Sequence, residues 1–316
     1  MSTFLQRVLD DVRGNFGEPA KLIRTLQSNK KFVRPSLPEP PRSVALSDVV
    51  KWDGWGHPGY SVFQGEKPGT LYGWGPASDR FESASVKVPA LLSLGERREV
   101  LDWTCDIRDV HGLSSSKSDL TTFESLDDLA VTNSPEMLQD IGQKGLQDNL
   151  AHKEIRVLHS ESTHDCFVSY SWDHRIFLIN SGGSHHFAAA RYIAQRIGEP
   201  VPIRSKLTIH SLNENAVRAL HKEFEIVCLQ DHAGIQMDFH ECMSAFRARY
   251  FTKLLPRPHD DTVAVFLPRS EPRSMKVALA LKAHGAMDLN AHLQQLCDMQ
   301  KHEENRPGPD LIRQEQ

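Results

Sequence analysis

The stretch INSGGSHHFAAARY, residues 179–192, limits the folds open to this chain more than any other segment does. The residues before it, 175–180, are β-rich, whereas 187–198 place apolar residues at the spacing of a helix. Paired glycines between a strand and a helix are typical of a backbone that turns sharply or passes close to another group. We therefore predict a strand, a tight turn at Gly182 and Gly183, and then a helix.

The segments around this turn continue the alternation of strands and helices. Hydrophobic patterning predicts strands at 155–160, 165–172, 175–180 and 201–210, and helices at 4–12, 135–146 and 187–198. Asp173 and His174 suit a tight turn between two of the strands, and Ser211 with Glu214 is typical of a capping box. Farther on, apolar runs alternate with helical stretches such as MSAFRARYFTKLL at 243–255. The pattern predicts a mixed α+β fold.

The glycine turn also has the composition of an anion site. Backbone N–H groups point outward from the first turn of a helix, where the helix dipole adds roughly half a positive charge. Ser184 can add a hydroxyl donor, and His185 and His186 can donate from their rings. Phosphate is the anion most often bound in such a cradle. A purely structural turn is the alternative, because glycines also end strands for reasons of backbone geometry alone.

The stretch GGSHHFAA, residues 182–189, resembles the sulfiredoxin signature Gly-Gly-Cys-His-Arg-Tyr-Ala-Ala and the related motif of the ParB-type nucleotide-binding fold. The resemblance implies a ParB/sulfiredoxin-like domain at 133–225. A loop-rich lobe at 1–132 would precede it, and an α/β extension at 226–297 and a polar tail at 298–316 would follow. It further implies that a nucleotide's phosphates are held by Ser181, Gly182, Gly183, Ser184, His185 and His186.

Members of that superfamily use ATP, ADP or CTP, so the resemblance implies ATP or another nucleotide, with Mg²⁺, as the cofactor. Two departures limit what can be transferred. Ser184 stands where sulfiredoxins have their catalytic cysteine, which excludes sulfiredoxin chemistry, and His186 replaces an arginine, a permanent fork of donors. We therefore expect weaker or more pH-dependent binding of phosphate.

Phosphoryl transfer or nucleotide hydrolysis also needs a carboxylate that positions a metal ion or activates a nucleophile. The resemblance favours Glu161 as this acid, with His185 and His186 as the other catalytic candidates. Asp165 and Asp173 are further candidates, and a solvated loop charge is the alternative for all three acids. The leading hypothesis is a nucleotide-binding phosphotransferase or nucleotide hydrolase.

Four other patterns in the sequence could also mark a functional site. DFHEC at 238–242 would place three metal ligands on one face of a strand, but no second pair of ligands accompanies it, so we predict no metal site there. The basic, aromatic stretch at 246–257 could contact nucleic acid or form the solvated face of a helix. Trp55 and Trp74, each followed by glycine, could stack on bases or fill a core. GERR at 95–98 matches the partition-protein motif only by coincidence, in what we expect to be a charged helix.

Composition narrows the classes of partner. The 316 residues carry a formal net charge of −4, and the pI is about 6.5, so no global basic field exists to hold nucleic acid. The five cysteines are far apart and suit reduced, buried thiols. No segment approaches the roughly 20 apolar residues of a membrane span. We expect a cytoplasmic protein without a membrane partner. The phosphotransferase or hydrolase hypothesis has two alternatives. One is a nucleotide-dependent DNA-binding regulator, and the other is a non-catalytic protein that binds a protein partner.

Overall fold

The computed structural model describes residues 17–59, 65–160 and 162–304. The predicted helix at 4–12 and the predicted acid Glu161 lie outside these residues. Within them, the fold is mixed α+β, as the sequence pattern predicts. No helix in the described part of the chain combines the length and apolar character needed to cross a membrane.

The strands are β1 Thr70–Ala77, β2 Arg80–Lys87, β3 Gly95–Asp106, β4 Gly112–Leu113, β5 Cys166–Tyr170, β6 Ile176–Ile179, β7 Pro202–Leu212, β8 Phe224–Gln230, β9 Tyr250–Leu254 and β10 Thr262–Pro268. The α-helices are α1 Ala20–Ser28, α2 Pro89–Leu92, α3 Leu126–Asn133, α4 Gln143–Leu150, α5 Arg156–His159, α6 Ser184–Ile197, α7 Glu214–Glu223, α8 Ala233–Phe246, α9 Pro272–Ala283 and α10 Leu289–Glu304. Short 3-10 turns cover Leu46–Asp48, Trp52–Gly54, Ile107–Asp109, Leu120–Thr122 and Pro135–Leu138.

The chain divides into two compact units. Of the described residues, 40–50, 96–160 and 162–211 form one unit, called the turn unit because it contains the glycine turn. Residues 17–39, 51–59, 65–95 and 212–304 form the other, called the antiparallel unit. The turn unit therefore takes in 96–132, ahead of the predicted domain boundary, and leaves out 212–225. Pairing explains the difference, because β3 and β4 belong to the same sheet as β5, β6 and β7.

In the antiparallel unit, the strand order is β2-β1-β9-β10-β8 and neighbouring strands run antiparallel. Helices α1, α8 and α9 bury apolar residues against this sheet, among them Leu22, Phe239 and Val277, which pack with Val227 and Val265. Strand β10 is buried along its whole length, and β8 is buried except at its last residue, Gln230, which is half-buried.

In the turn unit, the strand order is β3-β7-β5-β6-β4. Strand β5 runs parallel to β7 and antiparallel to β6, and β4 runs parallel to β6. Helix α6 buries Phe187 and Ile193 in a core shared with Leu129 of α3 and Leu146 of α4. Because β4 and β6 are parallel neighbours, the loops that follow them lie at the same edge of the sheet. The glycine turn follows β6 at that edge.

Several predicted elements of the turn unit are confirmed and others are wrong. Strands occupy most of 165–172, 175–180 and 201–210, and α6 covers the predicted helix but begins at Ser184. The predicted strand at 155–160 is wrong, because Ile155 is buried and the residues after it form α5. The helix predicted at 135–146 is interrupted: Gly142 is extended and caps α4, which starts later. The sequence GERR lies in strand β3, not in a helix.

Three further sequence predictions are wrong in the antiparallel unit. The N-cap of α7 is Asn213, whose side chain accepts a bond from the Ala216 N–H, so the predicted capping box at Ser211 is wrong. The stretch 243–255 is not one helix: α8 ends at Phe246, its C-cap Arg247 adopts φ +54°, and β9 follows at Tyr250. Helix α10 extends into the predicted polar tail, where the Gln300 side chain bonds to the Leu212 backbone.

Candidate functional site

The glycine turn joins β6 to α6, and the fold requires one of its two glycines. Gly183 is the N-cap of α6 and has φ +69°, a conformation that favours glycine. A Cβ atom at Gly183 would lie 2.6 Å from the carbonyl carbon of Glu154 and 2.7 Å from the backbone nitrogen of Ile155. At Gly182 the nearest atoms would be 3.5 Å from a Cβ, which is an ordinary contact. The close backbone approach predicted for this turn is therefore confirmed at Gly183.

The first turn of α6 presents free N–H groups. The Phe187 N–H bonds to the Gly183 carbonyl, but no acceptor among the described residues bonds to the N–H groups of Ser184, His185 or His186. Such groups have no partner inside the helix and are normally satisfied by side chains, water or a ligand. This end of the helix therefore offers three converging donors.

Asn180 holds the turn against the loop that follows β4. Its side-chain amide donates to the carbonyls of Ser115 and Gly182, and its Oδ1 accepts from the Ser115 N–H at 3.1 Å. Asn180 is buried, and its bonds to this loop are partly buried. They fix the loop at 114–118 beside the start of α6.

Two serines of this loop contact the first two residues of α6. Ser116 Oγ lies 2.9 Å from Ser184 Oγ, and Ser118 Oγ lies 2.9 Å from His185 Nε2. The Asn133 side chain donates to Ser118 Oγ at 2.7 Å. Three polar side chains outside the predicted motif thus become part of the site.

His186 is a neutral ring, not a cation, and its Nδ1 donates a hydrogen bond. The Asn149 amide nitrogen donates to two backbone carbonyls, so its oxygen accepts from His186 Nδ1 at 3.0 Å. The His152 ring stacks on His186 at a centroid distance of 3.7 Å. Burial, together with the neighbouring His152 and His185, lowers the pKa of His186, although Glu154 opposes this effect. Near pH 7, His186 therefore carries its only proton on Nδ1, and Nε2 cannot donate to an anion.

Arg156 supplies the permanent charge that His186 lacks. Its Nη1 donates to Ser181 Oγ at 2.8 Å, and the same hydroxyl donates to Asp165 Oδ1 at 2.7 Å. The Ser181 N–H also bonds to Asp165 Oδ1 at 3.1 Å. Asp165 is buried, whereas Ser181 and Arg156 are exposed. The guanidinium of Arg156 thus lies at the turn, although it belongs to a different segment of the sequence.

A cleft of about 770 Å³ opens beside the turn, and Asp165 is part of its wall. The cleft is also lined by Leu158, His164, Cys166, Arg204 and Lys206. The two cations are paired, Arg204 with Asp102 and Lys206 with Glu99. Burial raises the pKa of the Cys166 thiol, so this cysteine lacks the thiolate character of a reactive nucleophile.

The structure brings most of the predicted site residues together and separates one of them from the rest. The six residues from Ser181 to His186 lie together on the turn and the start of α6. Asp165 contacts the turn directly. Asp173 does not: it lies at the opposite end of the β5–β6 hairpin and forms a two-bond ion pair with Arg175.

The weaker candidates of the sequence do not converge on a site. DFHEC lies in α8, not on a strand, and His240 bonds to the Tyr250 hydroxyl. Among the described residues, no three His, Cys, Asp or Glu side chains are grouped as metal ligands. Basic side chains of the stretch 247–257 form bonds and ion pairs within the antiparallel unit. Arg247 bonds to backbone carbonyls, Arg249 pairs with Glu271, and Lys253 pairs with Glu66. Trp55 is buried in the core, as the structural interpretation predicts.

A protein-family model matches the larger part of this chain. A family model described as "Family of unknown function (DUF6685)" matches residues 100–306, about two thirds of the chain. The chain belongs to the DUF6685 family. The DUF6685 match includes the loop at 114–118, α5, the glycine turn and α6. No curated protein and no solved structure matches the chain.

Proposed function

We propose that this chain binds a nucleotide through its phosphates at the glycine turn, and that it acts as a phosphotransferase or a nucleotide hydrolase. The observation that carries the proposal is the start of α6, where three N–H groups without acceptors among the described residues lie beside the Ser184 hydroxyl and the exposed Arg156 guanidinium. Helix N-termini favour anions through these N–H groups and the helix dipole.

Arg156 strengthens the case for phosphate. Its guanidinium has five N–H donors, and the bond to Ser181 uses one of them. The remaining donors can bond to phosphate oxygens in the paired geometry that arginine favours. Under this proposal, Arg156 of α5 would supply the phosphate contacts of the arginine that the motif lacks at position 186.

The cleft supports a ligand larger than inorganic phosphate. Its volume, about 770 Å³, lies within the range of roughly 300–1,000 Å³ typical of small-molecule sites. Asp165 joins the two parts of the site, because it lines the cleft and bonds to Ser181 of the turn. A nucleoside would occupy the cleft while its phosphates lie at α6.

Asp165 is also a carboxylate that fits a Mg²⁺ ion carried by the nucleotide, and the Glu154 carboxylate lies near the turn as well, 3.8 Å from where a Cβ of Gly182 would be. Mg²⁺ in such sites uses one or two carboxylates together with phosphate oxygens and water, so a cage of protein ligands is not required. When bound, the ion would neutralise phosphate charge. Asp165 would hold it through the oxygen that does not bond to Ser181.

Calorimetric titration of ATP, ADP, CTP and GTP, with and without Mg²⁺, tests the proposal. Loss of the Arg156 donors in Arg156→Gln removes a charge-assisted bond worth about 1.5–3 kcal/mol, so we expect affinity to fall roughly tenfold to a hundredfold. Arg196→Gln is the matched control, since Arg196 lies in the last turn of the same α6 and stacks on Tyr192. Equal affinity of both variants and the wild type would contradict the proposal.

Gly183 is a poor position for this test. A side chain there would overlap the backbone at 154–155, so lost binding in Gly183→Val would report disturbed packing. Arg156 is exposed, and its replacement leaves the turn's backbone contacts in place. For this reason the arginine variant separates binding from folding.

The proposal also assigns the protein to the cytoplasm. Its support is the state of the cysteines, all five of which are free thiols. Burial raises the pKa of Cys228 to about 12 and that of Cys297 to about 11, so these thiols resist oxidation. Free, buried cysteines are typical of proteins in reducing compartments.

A further inference from the structure

The serine loop at 114–118 places two hydroxyl groups over the first turn of α6, and they differ in their partners. Ser116 Oγ meets another hydroxyl, that of Ser184, at 2.9 Å. Ser118 Oγ meets the imidazole nitrogen Nε2 of His185 at the same distance. Only the second pairing joins a hydroxyl to a base.

The surrounding hydrogen bonds orient the Ser118 hydroxyl. Asn133 Nδ2 is a donor and bonds to Ser118 Oγ at 2.7 Å, so it occupies one of the two lone pairs of the oxygen. The hydroxyl proton can then point at His185 Nε2, which accepts it when the ring proton is on Nδ1. A serine that donates to a histidine in this way is the arrangement of a nucleophile with its general base.

We propose that Ser118 is a nucleophile, that His185 is its general base, and that Ser118 accepts a phosphoryl group from a nucleotide held at the glycine turn. The choice of phosphoryl donor rests on the proposed function. The position of the pair supports it, because His185 is the second residue of the helix whose N–H groups would bind the phosphates.

In the proposed transfer, the terminal phosphoryl group moves from the nucleotide to Ser118 Oγ. A new bond forms between Ser118 Oγ and the terminal phosphorus, the bond from that phosphorus to the bridging oxygen breaks, and the nucleoside diphosphate leaves with the electron pair. The hydroxyl proton moves to His185 Nε2. When water attacks the phosphoserine, the Oγ–phosphorus bond breaks, the proton returns from Nε2 to Oγ, and dihydrogen phosphate leaves.

Diisopropyl fluorophosphate tests the nucleophile without any nucleotide. Attack by Ser118 Oγ on the phosphorus of this reagent expels fluoride and leaves a stable adduct, which peptide mass spectrometry locates. We expect adduct at Ser118 in the wild type and in the matched control Ser115→Ala, and none at position 118 in Ser118→Ala. Ser115 is an exposed serine of the same loop that bonds to Asn180 through its backbone, so its hydroxyl is a suitable control. Since a general base contributes roughly 10²–10⁴-fold, labelling of His185→Gln should be at least about a hundredfold slower. Circular dichroism of each variant verifies its fold.

The outcomes separate this proposal from the proposed function. Failure to label Ser118 in the wild type, or equal labelling rates in the wild type and His185→Gln, overturns the assignment of the pair even if nucleotides bind. Labelling of Ser118 that depends on His185 supports the pair even if calorimetry detects no nucleotide. Acid-quenched incubation with ATP then tests the donor: phosphate on Ser118 supports it, and bound ATP without phosphoserine at 118 overturns it.

Discussion

Alanine substitutions at the two ends of α6 measure how tightly the segment at 154–155 packs on the glycine turn. Gly183 and Gly198 both adopt the left-handed conformation, with φ +69° and +71°. A Cβ at Gly183 would come within 2.6–2.7 Å of three backbone atoms of Glu154 and Ile155, whereas a Cβ at Gly198 would meet nothing within 4 Å. The two variants therefore share the cost of the left-handed conformation, and this overlap is the main difference between them.

The magnitudes follow from these contacts. The left-handed conformation costs an alanine about 1–2 kcal/mol, and reduced freedom of the unfolded chain returns about 0.4–1 kcal/mol, so Gly198→Ala should lose about 1 kcal/mol. Overlap with packed atoms adds about 1–3 kcal/mol. These atoms are backbone and cannot move aside as the end of a flexible side chain can, so Gly183→Ala should lose about 2–4 kcal/mol.

Urea unfolding, followed by circular dichroism, measures both free energies of unfolding. We expect Gly183→Ala to be less stable than Gly198→Ala by at least about 1 kcal/mol. A difference below about 0.5 kcal/mol, which is within the usual effect of a surface change, would refute the packing of 154–155 against the turn.

Three further predictions concern stability. Gly182→Ala should change the free energy of unfolding by less than about 0.5 kcal/mol in urea unfolding, because its Cβ makes ordinary contacts. Glu66→Gln leaves the buried Lys253 ammonium without its carboxylate and should cost about 3–5 kcal/mol in the same assay; adding Lys253→Met should recover much of this loss. Burial lowers the pKa of His259 and His292 in the folded protein. As the pH falls below about 6.5, the ordinary pKa of histidine, the unfolded chain therefore binds more protons than the folded protein does. Stability should therefore fall between about pH 7 and pH 5 in unfolding series, and less steeply in His259→Gln.

The sequence predicts the glycine turn and its flanks because their signals are local. Residues 175–180 and 187–198 carry clear strand and helix patterns, and the glycines between them mark the turn. The prediction fails at 155–160, where branched and apolar residues suggest a strand. There, the burial of Ile155 and its close approach to Gly183 favour one turn of helix instead.

The rest of the candidate site could not be predicted, because it forms through distant contacts. Ser118 meets His185 across 67 residues of sequence, and Arg156 meets Ser181 across 25. The Ser118–His185 contact depends on the parallel pairing of β4 with β6, which a two-residue strand hardly signals. The run LSSSKSD at 113–119 is the one local sign, since its serines suit a polar loop but do not indicate a partner.

The most direct test of the central claim is calorimetric titration of Mg²⁺-ATP into the wild type, Arg156→Gln and the control Arg196→Gln. If the start of α6 holds phosphates, the wild type and the control will bind with equal affinity, and Arg156→Gln will bind roughly tenfold to a hundredfold more weakly. Absence of binding to the wild type at millimolar nucleotide, or equal binding by all three proteins, would contradict the claim.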